Sequence, residues 1–126
     1  MKLQHAPYNA SIGSDRKQNK SDCAVRAITK CTGLDYDKVY DYLWMTQGKR
    51  PCKGTSMMAI ESLMNSLGWT KQNIYKTFNS KHVPMGNVLC IITRHAVAVQ
   101  DHVVYDTYDS VRSGRRKLYC IFTKQQ

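Results

Sequence analysis

No stretch of this chain approaches the ~20 apolar residues that a membrane span requires. The polar N-terminus also lacks the apolar core of a secretory signal, so a cytoplasmic protein is expected, in a host cytoplasm if the chain is viral. Five cysteines, at 23, 31, 52, 90 and 120, form no CxxC pair and no regular spacing. An odd count without a signal argues against a disulfide framework and for reduced thiols. Cys and His are not clustered, so no zinc site is expected, and no cofactor either. Repeats, linkers and low-complexity tracts are absent. Carboxylates are scarce: nine Asp plus Glu stand against nineteen Lys plus Arg, leaving a net charge of +10. That excess suits an acidic host protein, nucleic acid or plain solubility, and no RNA or DNA motif accompanies it. Only Arg112, Arg115, Arg116 and Lys117 cluster, in a stretch expected to be a surface loop that binds a partner without touching any chemistry.

What is present suffices for one globular domain. The 126 residues are 42% hydrophobic and 10% aromatic, enough for a core without metal or disulfide staples. Residues 1–17 are polar and irregular and read as a flexible arm, with a single domain over 18–126. From Ala24 the apolar positions 24, 27, 28 and 31 follow a helical stripe that Gly33 ends. Tyr36, Val39, Tyr40 and Leu43 mark a second helix, capped by Asp35 and ending near Gly48. A third, with Met57, Ile60, Leu63, Met64 and Leu67 inward, is capped by Thr55 or Ser56 and closed by Gly68, with Trp69 anchoring its exit. The periodicity then shifts to strands at 74–78, 87–93, 95–99, 103–107 and 118–122. Helices first and a meandering antiparallel sheet second make an α+β arrangement.

One cysteine stands apart. Cys23 falls in the first turn of its helix, after Ser21 and Asp22, either of which can cap the free amides there. The positive end of the helix dipole favours its thiolate, although most lone cysteines are small core residues. A nucleophilic thiol needs a base, and the base an orienting group. Of the four histidines, His5 lies in the arm, His82 in a loop, and His102 in a hairpin turn where exposure is the simplest reading. His95 opens a strand of Ala and Val, so its ring leaves a rigid frame at a strand end. If Val99 opposes His102 across a two-residue turn, His95 faces Asp106, with Cβ atoms ~5 Å apart. A shifted turn pairs His95 with Tyr108 instead, and Asp109 is then the fallback.

Asp22-Cys23 heading a helix, then His95-Ala96-Val97-Ala98-Val99 and Tyr105-Asp106-Thr107-Tyr108-Asp109-Ser110, resembles the papain-like cysteine peptidase superfamily. The nearest flavour is the compact peptidase C39-like proteins of the kind found in bacteriophages. The resemblance implies a papain-like α+β fold, with N-terminal helices packed on a C-terminal antiparallel sheet. It also implies a Cys23–His95–Asp106 triad acting on a peptide or protein substrate, as peptidase or related amidase or deamidase. Gln18 becomes the oxyanion donor beside the Cys23 amide, with Asn19 next to it. Two departures stand out: Ala24 replaces the glycine that commonly follows such a cysteine, and the Gln18 spacing is shorter than in papain-like enzymes. The rival expectation is a catalytically inactive basic protein that keeps the fold and inhibits a host protein or binds nucleic acid.

Overall fold

The computed structural model describes residues 3–8, 22–51, 54–111 and 115–124. Among the described residues, three helices precede most of the sheet. Helix α1 (Cys23–Thr32) buries Ala24, Val25, Ala27, Ile28 and Cys31, and Gly33 terminates it in the left-handed conformation, φ 75°. Helix α2 (Tyr36–Gln47) buries Tyr36, Val39, Tyr40 and Leu43. Helix α3 (Met57–Ser66) buries Ala59, Ile60, Leu63 and Met64, and the Ser56 hydroxyl accepts the Ala59 N–H at 3.1 Å as its cap. Neither Asp22 nor Asp35 caps its helix through the side chain.

The described residues form one six-stranded sheet in the order β1-β5-β4-β3-β6-β2. Its strands are β1 (Gln4–Pro7), β2 (Trp69–Thr77), β3 (Asn87–Ile92), β4 (His95–Gln100), β5 (Val103–Asp106) and β6 (Lys117–Lys124). The helices cover one face, so the chain is α+β. The sheet is mixed, not antiparallel as the sequence suggested, because β1 runs parallel to β5. This corrects the reading of the first residues as an arm without structure: residues 4–7 are an edge strand, while residues 9–21 lie outside the described part. A four-residue parallel pairing across a separation of about a hundred residues leaves no local trace, and four residues show too little alternation to read.

The two faces of the sheet carry separate cores. Leu89, Ala96, Ala98, Cys120 and Phe122 meet the helices. Cys90, Val97, Val99, Val104, Leu118 and Ile121 lie on the other face, packed with Phe78 and Val83 from the connection between β2 and β3. Helix α1 packs chiefly on β4, and alanines stand on both sides of that contact: Ala24 and Ala27 on the helix, Ala96 and Ala98 on the strand. Small side chains let a helix backbone come close to a sheet. Here the helix that comes close is the one beginning at Cys23.

The β4–β5 hairpin turns on Asp101 and His102, both left-handed at φ 50° and 65°, with Gln100 paired to Val103. Two consecutive positive φ values are the signature of a type I′ turn, whose twist matches that of the strands. The register therefore differs by one residue on each strand from the pairing expected, Val99 opposite His102. Val99 faces Val104, and continued pairing would set Tyr108 opposite His95. The slip preserves side-chain parity, because moving both partners by one keeps the same face. Asp106 stays on the face of Val104 and becomes a diagonal neighbour of His95.

Replacing Ala98 with Leu is expected to overpack the α1–β4 contact and cost about 1–3 kcal/mol. The control Met58→Ala, at a side chain 80% exposed, should stay within about 0.5 kcal/mol. Urea unfolding followed by circular dichroism measures both; equal midpoints would show that the alanine contact is not close-packed.

Candidate active site

Cys23 is the first residue of α1, and the first hydrogen bond of that helix runs from the Arg26 N–H to the Asp22 carbonyl. The amides of the first turn before it have no partner within the helix, and the Asp22 side chain caps none of them. Asp22 is turned elsewhere. Only 1% exposed, its carboxylate accepts from the Tyr36 hydroxyl at 2.6 Å and pairs with the Arg26 guanidinium one turn along α1. A buried carboxylate is tolerable only when paired and hydrogen-bonded, and this one is both. The pair locks the residue before the cysteine to both α1 and α2.

His95 begins β4, next to a two-residue turn in which Arg94 is left-handed at φ 53°. By alternation its side chain belongs with Val97, on the face away from the helices. At this open end of the strand the ring also reaches Cys23 in the helical layer, and both side chains line one cleft. Its Nε2–H donates to Asp106 Oδ2 at 2.5 Å, leaving Nδ1 for the thiol. Both side chains of that pair are shielded, His95 at 7% and Asp106 at 2% exposure.

Asp106 is itself held from several sides. Its Oδ1 accepts the Thr107 N–H at 2.7 Å, and its main-chain carbonyl accepts the Tyr8 N–H at 2.9 Å. His5 Nε2–H donates to the same carbonyl at 3.1 Å, so β1 fixes the backbone of the residue that orients the imidazole. Across the ring from these contacts, Tyr108 lies 5.2 Å from His95, centroid to centroid, with planes tilted by 35°.

Burial by itself would raise the Cys23 thiol, but the hydrogen bond and charge of His95, together with the Ala96 and Ala24 amides, bring it below the ordinary value. Burial opposes a charged imidazole, and the carboxylate of Asp106 and the thiol of Cys23 outweigh it, raising His95 to about 9. Burial likewise opposes the Asp106 carboxylate, and the hydrogen bond and charge of His95 hold it below the usual range. Cys31 and Cys90 have no such neighbours, and burial drives both thiols up. Cys120 is raised for the same reason. Among the described cysteines, Cys23 alone has a depressed thiol, and it stands in a cleft with His95.

That cleft has a volume of about 810 Å³. Met57, Ile60, Ile91 and Ile92 form its apolar wall, and Cys23 and His95 stand in it beside Arg26, Arg94, Tyr108 and Tyr119. Gln47 holds up the far side, donating to the Gly54 carbonyl at 3.1 Å and accepting the Ser56 N–H at 2.8 Å.

The structure thus brings Cys23, His95 and Asp106 together. Gln18, the expected oxyanion donor, lies outside the described residues, as do Ser21 and Arg112. Asp109 does not reach the histidine: it is exposed and its Oδ1 accepts the Val111 N–H at 3.1 Å within its own turn. His102 is not the exposed turn residue expected, since its Nε2–H donates to the Val83 carbonyl at 2.7 Å. The basic loop is not detached from the site either. Arg116 is half-buried, and its guanidinium stacks over Tyr108 at 5.4 Å, on the tyrosine that covers His95. Residues that sequence reasoning passed over are Arg26, three positions after Cys23 on the same helix face, and Tyr119. The spacing of Arg26 was a readable signal; Tyr119 follows from a bulge in β6 that has none.

No family model, curated protein or solved structure matches this chain.

The His95–Asp106 pair makes stability pH-dependent, most clearly in Cys23→Ser, where thiol ionisation is removed. A histidine raised in the folded state stabilises fully below its unfolded value of about 6.5 and loses that contribution as pH rises through the folded value. A depressed aspartate stabilises fully above about 3.9 and loses its share as pH falls through its own folded value. The unfolding free energy of Cys23→Ser should therefore be highest near pH 5–6 and decline on both sides. Adding His95→Gln should flatten the alkaline limb; an unchanged limb would mean that His95 gains no proton affinity on folding.

Proposed function

We propose that this chain is a papain-like cysteine hydrolase of the compact peptidase C39-like kind, acting on a peptide or related amide bond. One observation carries the reading: Cys23, His95 and Asp106 stand in that order, the imidazole beside the thiol and hydrogen-bonded to the carboxylate, at a helix N-terminus and in a cleft. The thiol is lowered and the imidazole raised, so both shifts run toward the thiolate–imidazolium pair that a sulfur nucleophile needs.

In this reading the Cys23 thiolate attacks the amide carbonyl carbon and a carbon–sulfur bond forms. The Cys23 main-chain N–H, free in the first turn of α1, faces the negative charge that develops on oxygen. The tetrahedral intermediate collapses, the carbon–nitrogen bond breaks, and His95 gives its Nδ1 proton to the departing amine. His95, now neutral, takes a proton from water, which attacks the thioester. The acid product leaves and the thiolate–imidazolium pair is restored. Asp106 keeps the Nε2 proton in place throughout, which presents Nδ1 to the sulfur side. Acyl transfer to an acceptor other than water, or deamidation of a side-chain amide, uses the same groups.

The test is site-resolved alkylation by iodoacetamide across pH, read by mass spectrometry. Cys23 should label well below pH 8 and Cys31 and Cys90 hardly at all in the folded protein. Asp106→Asn should slow Cys23 labelling at neutral pH by about 10²-fold, at the low end of what acid–base partners contribute. Asp109→Asn should leave it nearly unchanged. If Cys23 labels only above pH ~8, as an ordinary thiol does, the hydrolase reading falls and the basic binding protein takes its place.

A further inference from the structure

The charges that the described residues bring to the cleft are of one sign. Apart from the catalytic pair, its described lining carries two charged side chains, Arg26 and Arg94, and no carboxylate. Arg26 is neutralised by Asp22, but Arg94 is exposed, and no described residue forms an ion pair with it. Its position is enforced. Arg94 occupies the left-handed region at φ 53° in the turn that leads directly into His95. Such a conformation is uncommon for a side chain of this size.

Two tyrosines of the cleft lining each have a cation over the ring. Tyr108 carries Arg116 at 5.4 Å, and Tyr119 carries the Lys117 ammonium at 5.6 Å. Tyr119 is there because of a double irregularity in the sheet. Ile91 pairs with Cys120 and Ile92 with Leu118, which leaves Tyr119 out of the β3 ladder. On the other edge of β6, Ile74 and Tyr75 are also unpaired, and Tyr75 takes φ 56°. Its ring meets Tyr119 edge-on at 6.3 Å and also lies under Lys117, at 5.8 Å. Bulges re-aim side chains, and this one turns an aromatic ring into the cleft with its cation above it. The Arg116 Nη1 atom is buried and has no hydrogen-bond partner among the described residues.

We propose that the substrate of this site is an acidic peptide segment. Carboxylates on either side of the attacked amide meet Arg94 and Lys117, and the chain between them lies across Tyr108 and Tyr119. This inference rests on the hydrolase reading above, but its binding part is separable from the chemistry. A cleft of one sign raises the local concentration of the opposite charge and loses that advantage in salt. The excess of basic residues over the whole chain, +10, adds a long-range field of the same sign.

Two measurements test it. The first compares Cys23 alkylation by iodoacetate and by iodoacetamide at low and high salt. One cation ~10 Å away changes the local concentration of a monoanion about twofold in water, so Arg94→Gln with Lys117→Gln should lower the iodoacetate-to-iodoacetamide ratio about fourfold at low salt. High salt should lower the wild-type ratio similarly. The second uses Cys23→Ser and titrates hexaglutamate, hexalysine or a short single-stranded DNA, following amide chemical shifts around Arg94, Tyr108 and Tyr119. Shifts with hexaglutamate alone, lost in the double variant, support the proposal. Equal shifts with hexaglutamate and hexalysine, or shifts with DNA only, overturn it, the latter in favour of a nucleic-acid surface. A Cys23 that iodoacetamide fails to label at neutral pH sinks the hydrolase reading, while the titration still decides the charge preference.

Discussion

The docking of α1 on β4 is the contact on which the rest depends. The alanines at 24 and 27 on the helix and at 96 and 98 on the strand let the two backbones approach closely. The start of the helix thereby comes level with the start of the strand, and the residues at those two starts are Cys23 and His95. A bulkier interface would leave the same residues on the same elements and out of each other's reach. The alignment is reinforced from behind, where Asp22 binds Tyr36 of the second helix and Arg26 of the first. One buried carboxylate thus ties together the residue before the cysteine, the helix it opens and the neighbouring helix.

The charges of the site are arranged so that each answers the cost of burying the next. A thiolate in a half-buried position is unfavourable until the imidazole protonates beside it. The imidazolium is unfavourable until Asp106 accepts its other N–H, and Asp106 in turn accepts the Thr107 amide. Each group taken alone would be pushed to its neutral form by desolvation, and the chain of hydrogen bonds reverses the direction for all three. Rigid placement favours the reversal, since charge-assisted hydrogen bonds are short and stronger than neutral ones. The edge strand β1 contributes here by holding the Asp106 carbonyl through Tyr8 and His5.

The hairpin between β4 and β5 shows how a correct pairing of residues can come from an incorrect register. Placing the turn at Gln100 and Asp101 made Asp106 the direct partner of His95. The turn forms one residue later, because Asp101 and His102 both adopt the left-handed region. Asp106 still reaches His95, since the shift keeps it on the same face and a diagonal neighbour lies within reach of an imidazole. The residue that would sit directly opposite, Tyr108, stacks on the ring instead.

Local pattern by itself determined the three helices and their stops, the switch from helices to strands, the α+β class and the candidates Cys23 and His95, although the first strand begins at Trp69 and not at residue 74 as expected. These depend on periodicities and end signals carried by neighbours a few residues apart, which a chain displays without folding. Tertiary structure decided the parallel pairing of residues 4–7, the final register of the hairpin, the diversion of Asp22 from capping to a buried pair, and the exclusion of Asp109. It also decided the bulge that aims Tyr119 into the cleft and the stacking of Arg116 over Tyr108. Each of these joins residues whose neighbourhood exists only after the sheet has closed and the helices have docked. The energy that selects them comes from burial and from hydrogen bonds across long sequence separations, to which no short stretch of the chain bears witness.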